Sequence, residues 1–345
     1  MKTLKKSSVL IILLIALMLV GCSSVSTEPT ETAVQEDTTS LEETTALVQE
    51  PIEKEKISII TSLFPQYDFA KTIAGDFADV SLILPPGIES HSYEPTPKDI
   101  IKITESDLFI YTNEIMEPWA HSLIENIETD KTKVVDLSIG IELLANSHSH
   151  EEGDHEHEEG EEVHEEGEYD PHYWLDPQNA IIMVSTIRDA LIEVLPAEAE
   201  VFNANAQILL DELQSLDTEI AAVIEKTDSK TILSGGHFAF GYFAHRYGLE
   251  NLSPYVGFSP DAEPTPQRIA ELIDTISETG AKAIFYEELI DPRVAKVISD
   301  EADVEMLLLH GAHNVSKDEI ESGITYIEIM KGNLERLKIG LGYHE

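Results

Sequence analysis

Four histidines lie in loops that follow predicted elements of an α/β fold. They are His91, His172, His237 and His310. Segments predicted to be strands precede three of them, and an acidic insert precedes His172. Ligands of open α/β sheets bind beyond the carboxyl ends of the strands, so these four side chains could face a single cleft. Because imidazole is the commonest side-chain metal ligand, the arrangement predicts a transition-metal site.

The remaining histidines fall into other settings. His121 and His245 lie within helical patterns, so we interpret them as surface or packing residues, and His344 lies at a C-terminus that we expect to be frayed. His313, three residues after His310, remains a competitor for the fourth position. Five more histidines occur among glutamates and glycines in the low-complexity segment 145–170, namely His148, His150, His155, His157 and His164.

The elements that would position these residues follow an α/β rhythm. Short apolar segments at 56–62, 80–84, 108–111 and 133–137 predict strands that alternate with helical patterns. The rhythm returns with strands at 230–233, 283–286 and 305–309. Such alternation is typical of a mainly parallel sheet flanked by helices. We therefore predict an α/β fold of two lobes.

A long helix is predicted between the two lobes. In segment 196–226, apolar residues recur at steps of three and four, which indicates one continuous buried stripe. At 1.5 Å per residue this helix would reach roughly 40 Å. We interpret it as a single rigid connector.

The N-terminal residues predict export. Lysines at positions 2, 5 and 6 precede the uncharged apolar run 9–20, which is short for a permanent membrane span and typical of a signal peptide. The run ends before Cys22, the only cysteine, in a context that resembles a bacterial lipobox, so we predict lipidation there. An ordinary secretory signal with an incidental cysteine is the alternative.

Composition supplies the other boundaries. Segment 22–55 is rich in Thr and Glu, which predicts a disordered, lipid-anchored tether. The predicted organisation is a signal peptide (1–21), the tether (22–55), an N-terminal lobe (56–178) with the flexible loop 145–170, connecting helices (179–227) and a C-terminal lobe (228–345).

The net charge of −44 restricts the possible partners. It argues against nucleic acid and against an anionic membrane surface, and it favours cations. The alternative is that the acidic segments only keep the chain soluble.

Three motifs carry a family resemblance. Segment 87–97 (GIESHSYEPTP), segment 170–177 (DPHYWLDP) and segment 237–243 (HFAFGYF, followed by RYGL at 246–249) are similar, in order, to the ligand motifs of the zinc and manganese solute-binding proteins of ABC importers. The resemblance covers about residues 57–342. It implies two α/β lobes joined by one rigid helix, with a metal ion between them. It also implies a monomeric, extracytoplasmic lipoprotein that delivers the ion to a membrane permease and is not an enzyme.

The resemblance assigns the ligands residue by residue. His91, His172 and His237 match the first three ligand positions, and His310 stands where the family often has an aspartate. His313, Glu89 or a water molecule remain alternatives for the fourth position. Glu89, if it is not the fourth ligand, and the five insert histidines are expected to act as accessory ligands.

The ligand types favour zinc over manganese. Imidazoles suit zinc, manganese sites prefer more oxygen donors, and manganese members of the family carry a carboxylate where this chain has His237. The insert histidines could gather zinc weakly, or the insert could be a solvated loop with no metal role.

Two other functions stay open. A metalloenzyme could use Glu89 as a general base, but the chain has no H-E-x-x-H motif. A surface adhesin would also be compatible with the exposed tether.

Overall fold

The computed structural model describes residues 56–128, 131–145, 169–255 and 264–345. These residues belong to one compact unit, Glu53–Glu345. The predictions for the signal peptide, Cys22, the tether and the five insert histidines lie outside the described residues. Within them, no helix is both long and apolar enough to cross a membrane.

The first half of the described chain forms a four-stranded parallel sheet. Its strands are β1 (Ile57–Thr61), β2 (Ala78–Leu82), β3 (Leu108–Tyr111) and β4 (Lys133–Asp136), in the order β2-β1-β3-β4. Ile59 is paired with Val80 on one side and with Leu108 on the other. Helices α1 (Phe64–Ala74), α2 (Pro97–Glu105) and α3 (Pro118–Ile124) connect these strands. Two apolar clusters pack around the sheet, so it is buried on both faces.

Local sequence explains where α2 begins. Thr96 accepts a hydrogen bond from the Asp99 amide, and its own backbone N–H donates to the Asp99 carboxylate, which forms a capping box at the start of α2. Pro97 occupies the first turn, where its missing N–H costs nothing.

The second half carries two parallel strand pairs. β5 (Thr231–Leu233) pairs with β6 (Glu250–Leu252), and β7 (Ala283–Tyr286) pairs with β8 (Glu305–Leu308). A bridge between Ser234 and Phe285 joins the pairs in the order β6-β5-β7-β8. Helices α6 (Gly241–Tyr247), α7 (Pro266–Thr279), α8 (Arg293–Ala302), α9 (Lys317–Ser322) and α10 (Tyr326–Gly340) surround these strands. The predicted α/β class with parallel sheets is confirmed.

Two long helices lie between the halves. They are α4 (Pro177–Val194) and α5 (Ala199–Glu225). The stripe of α5, from Phe202 to Ile224, is buried, and the helix packs on α1 and α4 of the first half and on α10 of the second. It therefore contacts helices of both halves. The exact domain boundaries remain a prediction.

Hydrogen bonds also join the two halves directly. The Tyr326 hydroxyl donates to the Trp174 carbonyl at 2.5 Å, and the Trp174 indole N–H donates to the Gly311 carbonyl at 2.8 Å. The Asn314 side chain donates to the carbonyls of Pro85 and Ile88 at 2.8 and 2.7 Å. These contacts fix the loops beyond β2 and β8 against each other.

Candidate metal centre

The first histidine lies in a loop that a carboxylate organises from within. Glu89 accepts hydrogen bonds from the backbone N–H groups of His91, at 2.8 Å, and Ser92, at 3.0 Å. Asn314 holds the start of the same loop. The Glu89 carboxylate is thus engaged in shaping the turn that presents the partly buried His91 ring.

The second histidine is fixed by its own motif. Asp170 Oδ1 accepts a hydrogen bond from the His172 backbone N–H at 2.9 Å and lies 2.8 Å from His172 Nδ1. Tyr173 and Trp174 anchor the following turn in the core, and Asp176 caps α4. Because Asp170 holds Nδ1, the other ring nitrogen, Nε2, is left to point into the site.

The third histidine follows β5 through two glycines. A Cβ on Gly235 would lie 2.5 Å from the Cα of Ala295, so α8 can pack here only against glycine. His237 is buried, and its Nδ1 lies 2.7 Å from Glu287 Oε2, just beyond the end of β7. This pair repeats the carboxylate–imidazole arrangement of Asp170 and His172.

These three rings converge. A ligand nitrogen of each lies within 4.8 Å of the others. His91 Nε2 and His172 Nε2 are 3.1 Å apart, and the ring centroids of the three residues are separated by 5.1, 5.7 and 5.8 Å. A tetrahedral zinc ion with Zn–N bonds of about 2.0–2.1 Å separates neighbouring nitrogens by about 3.3 Å. The spacing therefore suits ligands of one ion.

The electrostatics keep the first ring ready to bind a metal. Burial, together with the nearby His172 and His237, lowers the pKa of His91 to about 2, so its imidazole is neutral. For His237, burial disfavours the charged form, but the Glu287 carboxylate outweighs it and the net shift raises the pKa. Binding of a cation at this ring therefore competes with a proton.

The two histidines beyond β8 face different neighbours. His310 Nδ1 lies 3.2 Å from Glu288 Oε1, and His310 Nε2 lies 3.6 Å from Glu319 Oε1. Asn333 holds the backbone of His310 through hydrogen bonds of 2.8 Å to its N–H and its carbonyl. The ring of His310 is thus directed toward carboxylates, which does not favour its predicted role as the fourth ligand.

His313 lies closer to the three converging histidines. It is fully buried, and burial together with His172 and His237 holds its pKa well below the usual value. Within the described residues neither of its ring nitrogens has a hydrogen-bond partner. Of the two histidines beyond β8, His313 is the one that lies beside the converging rings.

Other sequence-selected residues lie elsewhere. The His121 ring is more than half exposed and pairs with Glu114 at 2.8 Å, His245 is exposed on α6, and the His344 ring is exposed at the C-terminus. An antiparallel bridge between Ala145 and Tyr169 joins the two ends of the predicted insert.

The carboxylates at the centre were not among the predicted site residues. Asp170 stands inside a motif used for the prediction, and Glu287 with Glu288 follows β7 as the histidines follow their strands. The strand-end rule that selected the histidines could have found this pair.

Comparisons with known proteins agree on one family. A sequence model of the family described as "Zinc-uptake complex component A periplasmic" matches residues 59–340. Zinc-binding protein AdcA of Streptococcus pyogenes is 35% identical over 289 residues, which cover 82% of this chain and 56% of AdcA. The chain thus spans about half the length of the AdcA relatives that it matches.

Two further relatives match over most of their length. High-affinity zinc uptake system protein ZnuA of Bacillus subtilis is 36% identical over 287 residues, which cover 83% of this chain and 88% of ZnuA. The crystal structure of the Zn(II)-bound ZnuA-like domain of Streptococcus pneumoniae AdcA superposes with a TM-score of 0.70 at 34% identity, covering 83% of this chain and 99% of that domain. The motifs, the fold and these matches agree, and the chain belongs to the family of zinc-uptake complex component A proteins.

Proposed function

We propose that this protein captures a zinc ion outside the cytoplasm and delivers it to the permease of an ABC importer. The observation that carries the proposal is the convergence of His91, His172 and His237 from three distant loops, with their ligand nitrogens within 4.8 Å. The zinc-binding and zinc-uptake names of the relatives support the same cargo. Zinc is thus the transported substrate of the protein and not a resident cofactor.

The donor set fits zinc. Three imidazoles form most of a tetrahedral nitrogen shell, and the fourth position is left to His313, which lies beside them, or to a water molecule. Manganese prefers oxygen donors and is the weaker candidate. The carboxylates of Asp170 and Glu287 orient His172 and His237 from behind, as partners of metal-bound histidines commonly do.

The route of the ion follows from the family. A solute-binding component holds its ion and performs no chemistry on it, which agrees with the expectation that the protein is not an enzyme. Acylation of Cys22 would keep the protein at the outer face of the membrane, and we propose that it acts there as a monomer. The insert histidines would raise the local zinc concentration.

The ligand assignment is tested by alanine substitution. We expect His172→Ala and His237→Ala each to weaken zinc binding at least about 100-fold, since each removes one of three imidazole ligands. His121→Ala is the matched control, because that ring is exposed and pairs with Glu114. Affinities are measured by competition with a chromophoric chelator, for zinc and manganese in parallel.

Two results would contradict the proposal. Equal effects of all three substitutions would refute the ligand assignment, and tighter binding of manganese than of zinc would refute the cargo. Growth under zinc starvation tests the transport step, since a strain lacking the protein should fail only there.

A further inference from the structure

A buried carboxylate lies in the first half of the chain, away from the converging histidines. Glu117 directly precedes α3, and its side chain is bound by residues that follow the carboxyl ends of β1 and β3. It accepts four hydrogen bonds, from the hydroxyls of Ser62 (2.5 Å) and Thr112 (2.8 Å) and from the backbone N–H groups of Thr112 (3.3 Å) and Asn113 (3.1 Å). Glu117 is only 3% exposed, so water does not solvate its charge.

No cation compensates this carboxylate. Its four donors are neutral, and it takes part in no ion pair among the residues that the structure describes. Burial raises the pKa of Glu117 from 4.5 to about 7, although the hydrogen bonds oppose the shift. The phenols of Tyr111 and Tyr173 interact with its charge, but burial holds the pKa of both far above neutral. The carboxylate of Asp136 accepts from the Tyr111 hydroxyl, and the exposed Glu114 has its own ion pair. Glu117 therefore changes its charge near neutral pH.

The surrounding geometry accommodates both charge states of Glu117. Ser62 Oγ lies 2.5 Å from Glu117 Oε1 and 2.9 Å from Gln66 Oε1. Gln66 Oε1 is an acceptor, because the backbone N–H groups of Ser62 and Leu63 donate to it at 3.0 and 2.9 Å. The single hydroxyl proton of Ser62 cannot serve both acceptors. When Glu117 is neutral, its own proton goes to Ser62 and the Ser62 proton goes to Gln66; when Glu117 is ionised, Ser62 donates to Glu117.

One peptide group connects Glu117 to the second metal-binding motif. The N–H of this group, which belongs to Asn113, donates to Glu117 Oε2, and its carbonyl, which belongs to Thr112, accepts from the Tyr173 hydroxyl at 2.8 Å. Tyr173 is fully buried and directly follows His172. A hydrogen bond to an ionised carboxylate is stronger than one to a neutral acid, and a peptide polarised in this way accepts more strongly at its other end. An ionised Glu117 therefore holds Tyr173 more firmly than a neutral one.

We propose that Glu117 is a positioning residue for His172, acting through the peptide group 112–113 and Tyr173, and that its ionisation tightens zinc binding. The inference rests on the proposed capture of zinc and adds a control of that site by pH. With its raised pKa, Glu117 is neutral below about pH 6 and ionised above about pH 8. Zinc binding should thus strengthen across this range by more than the deprotonation of the imidazoles provides.

The test compares the zinc affinities of wild type and Glu117→Gln by chelator competition at about pH 6 and about pH 8.5. Glutamine keeps the shape of the side chain and stands for the neutral acid. We expect equal affinities at the lower pH and about fivefold weaker binding by the variant at the higher pH, which is the lower end of typical couplings. Imidazole protonation cancels in this comparison. Glu114→Gln, at an exposed position three residues earlier, is the matched control and should equal wild type at both pH values.

A second substitution tests the route. Tyr173→Phe removes only the hydroxyl that donates to the Thr112 carbonyl. In that background Glu117→Gln should have no further effect at either pH, because the connection is already absent. Tyr173→Phe alone should weaken zinc binding more at the higher pH than at the lower, and this comparison is available even if Glu117→Gln does not fold.

Three results would overturn the proposal. They are a Glu117→Gln affinity that equals wild type at both pH values, a loss of equal size at both, and a Tyr173→Phe loss that does not depend on pH. An effect of Glu117→Gln that persists in Tyr173→Phe would refute the route. The proposed zinc capture fails by a different result, namely an unchanged zinc affinity in His172→Ala, so the two failures are distinguishable.

Discussion

Gly241 borders the carboxylate of Asp170, which holds one of the three converging histidines. It is the first residue of α6, and a Cβ built on it would lie 2.2 Å from Asp170 Oδ2 and 3.4 Å from Asp170 Cγ. The other oxygen of this carboxylate, Oδ1, lies 2.8 Å from His172 Nδ1 and accepts from the His172 N–H at 2.9 Å, so an alanine at position 241 must displace the group that holds His172. We expect the substitution to disorder the His172 ring.

The size of the effect follows from the loss of an orienting carboxylate. Removal of such partners typically weakens metal binding by about 10–100-fold. That range corresponds to about 1.4–2.8 kcal/mol of binding free energy. Zinc affinity is measured by chelator competition. Gly236→Ala is the control, because it lies next to His237 itself but a Cβ added there would meet nothing within 4 Å.

A double-mutant cycle decides whether Asp170 transmits the effect. In an Asp170→Ala background, Gly241→Ala should have little further effect, because the displaced group is already absent. Wild-type affinity in Gly241→Ala, or an equal loss with and without Asp170, would refute the reasoning.

Two further predictions concern stability. Burial raises the pKa of Asp68 from 3.8 to about 6, although its hydrogen bond from the Tyr326 N–H opposes the shift. The folded protein loses stability as the pH rises from the unfolded-state pKa of such an acid to its folded-state pKa. The stability of Asp68→Asn, measured by urea unfolding, should therefore rise by roughly 1–3 kcal/mol relative to wild type between about pH 4 and pH 7. A pH-independent difference would contradict this. Asn333→Ala removes both hydrogen bonds to the His310 backbone and should cost about 1–3 kcal/mol in the same assay, whereas no loss would show that water replaces the amide.

Much of the centre was predictable because strand ends in a parallel sheet meet at one edge. That rule selected His91 and His237, and the motif DPHYWLDP at 170–177, which follows the acidic insert, selected His172. Spacing alone could not decide between His310 and His313. Between them Ala312 adopts a φ of +57°, a backbone conformation that is uncommon for alanine and that the sequence does not predict.

Other features left too weak a signal. Strand β6 has only three residues, two of them polar, and α9 has only six, so neither shows a recognisable period. The pair Glu287–Glu288 was overlooked because acidic residues are common in this chain, with 66 Asp and Glu in all. Burial, rather than residue type, separates these two from most acidic residues, and among the described ones they share it only with Asp68, Glu117, Asp170 and Asp217.

The side-chain amide of Asn314 has a consequence for the timing of ion exchange. Its two hydrogen bonds tie the loop of His91 to the segment beyond β8, and Trp174 and Tyr326 tie neighbouring segments independently of any metal. His91 is also the least buried of the three converging histidines. Loosening Asn314 is therefore expected to free the loop of His91 and to shorten the residence time of a bound ion, while the other two imidazoles stay in place.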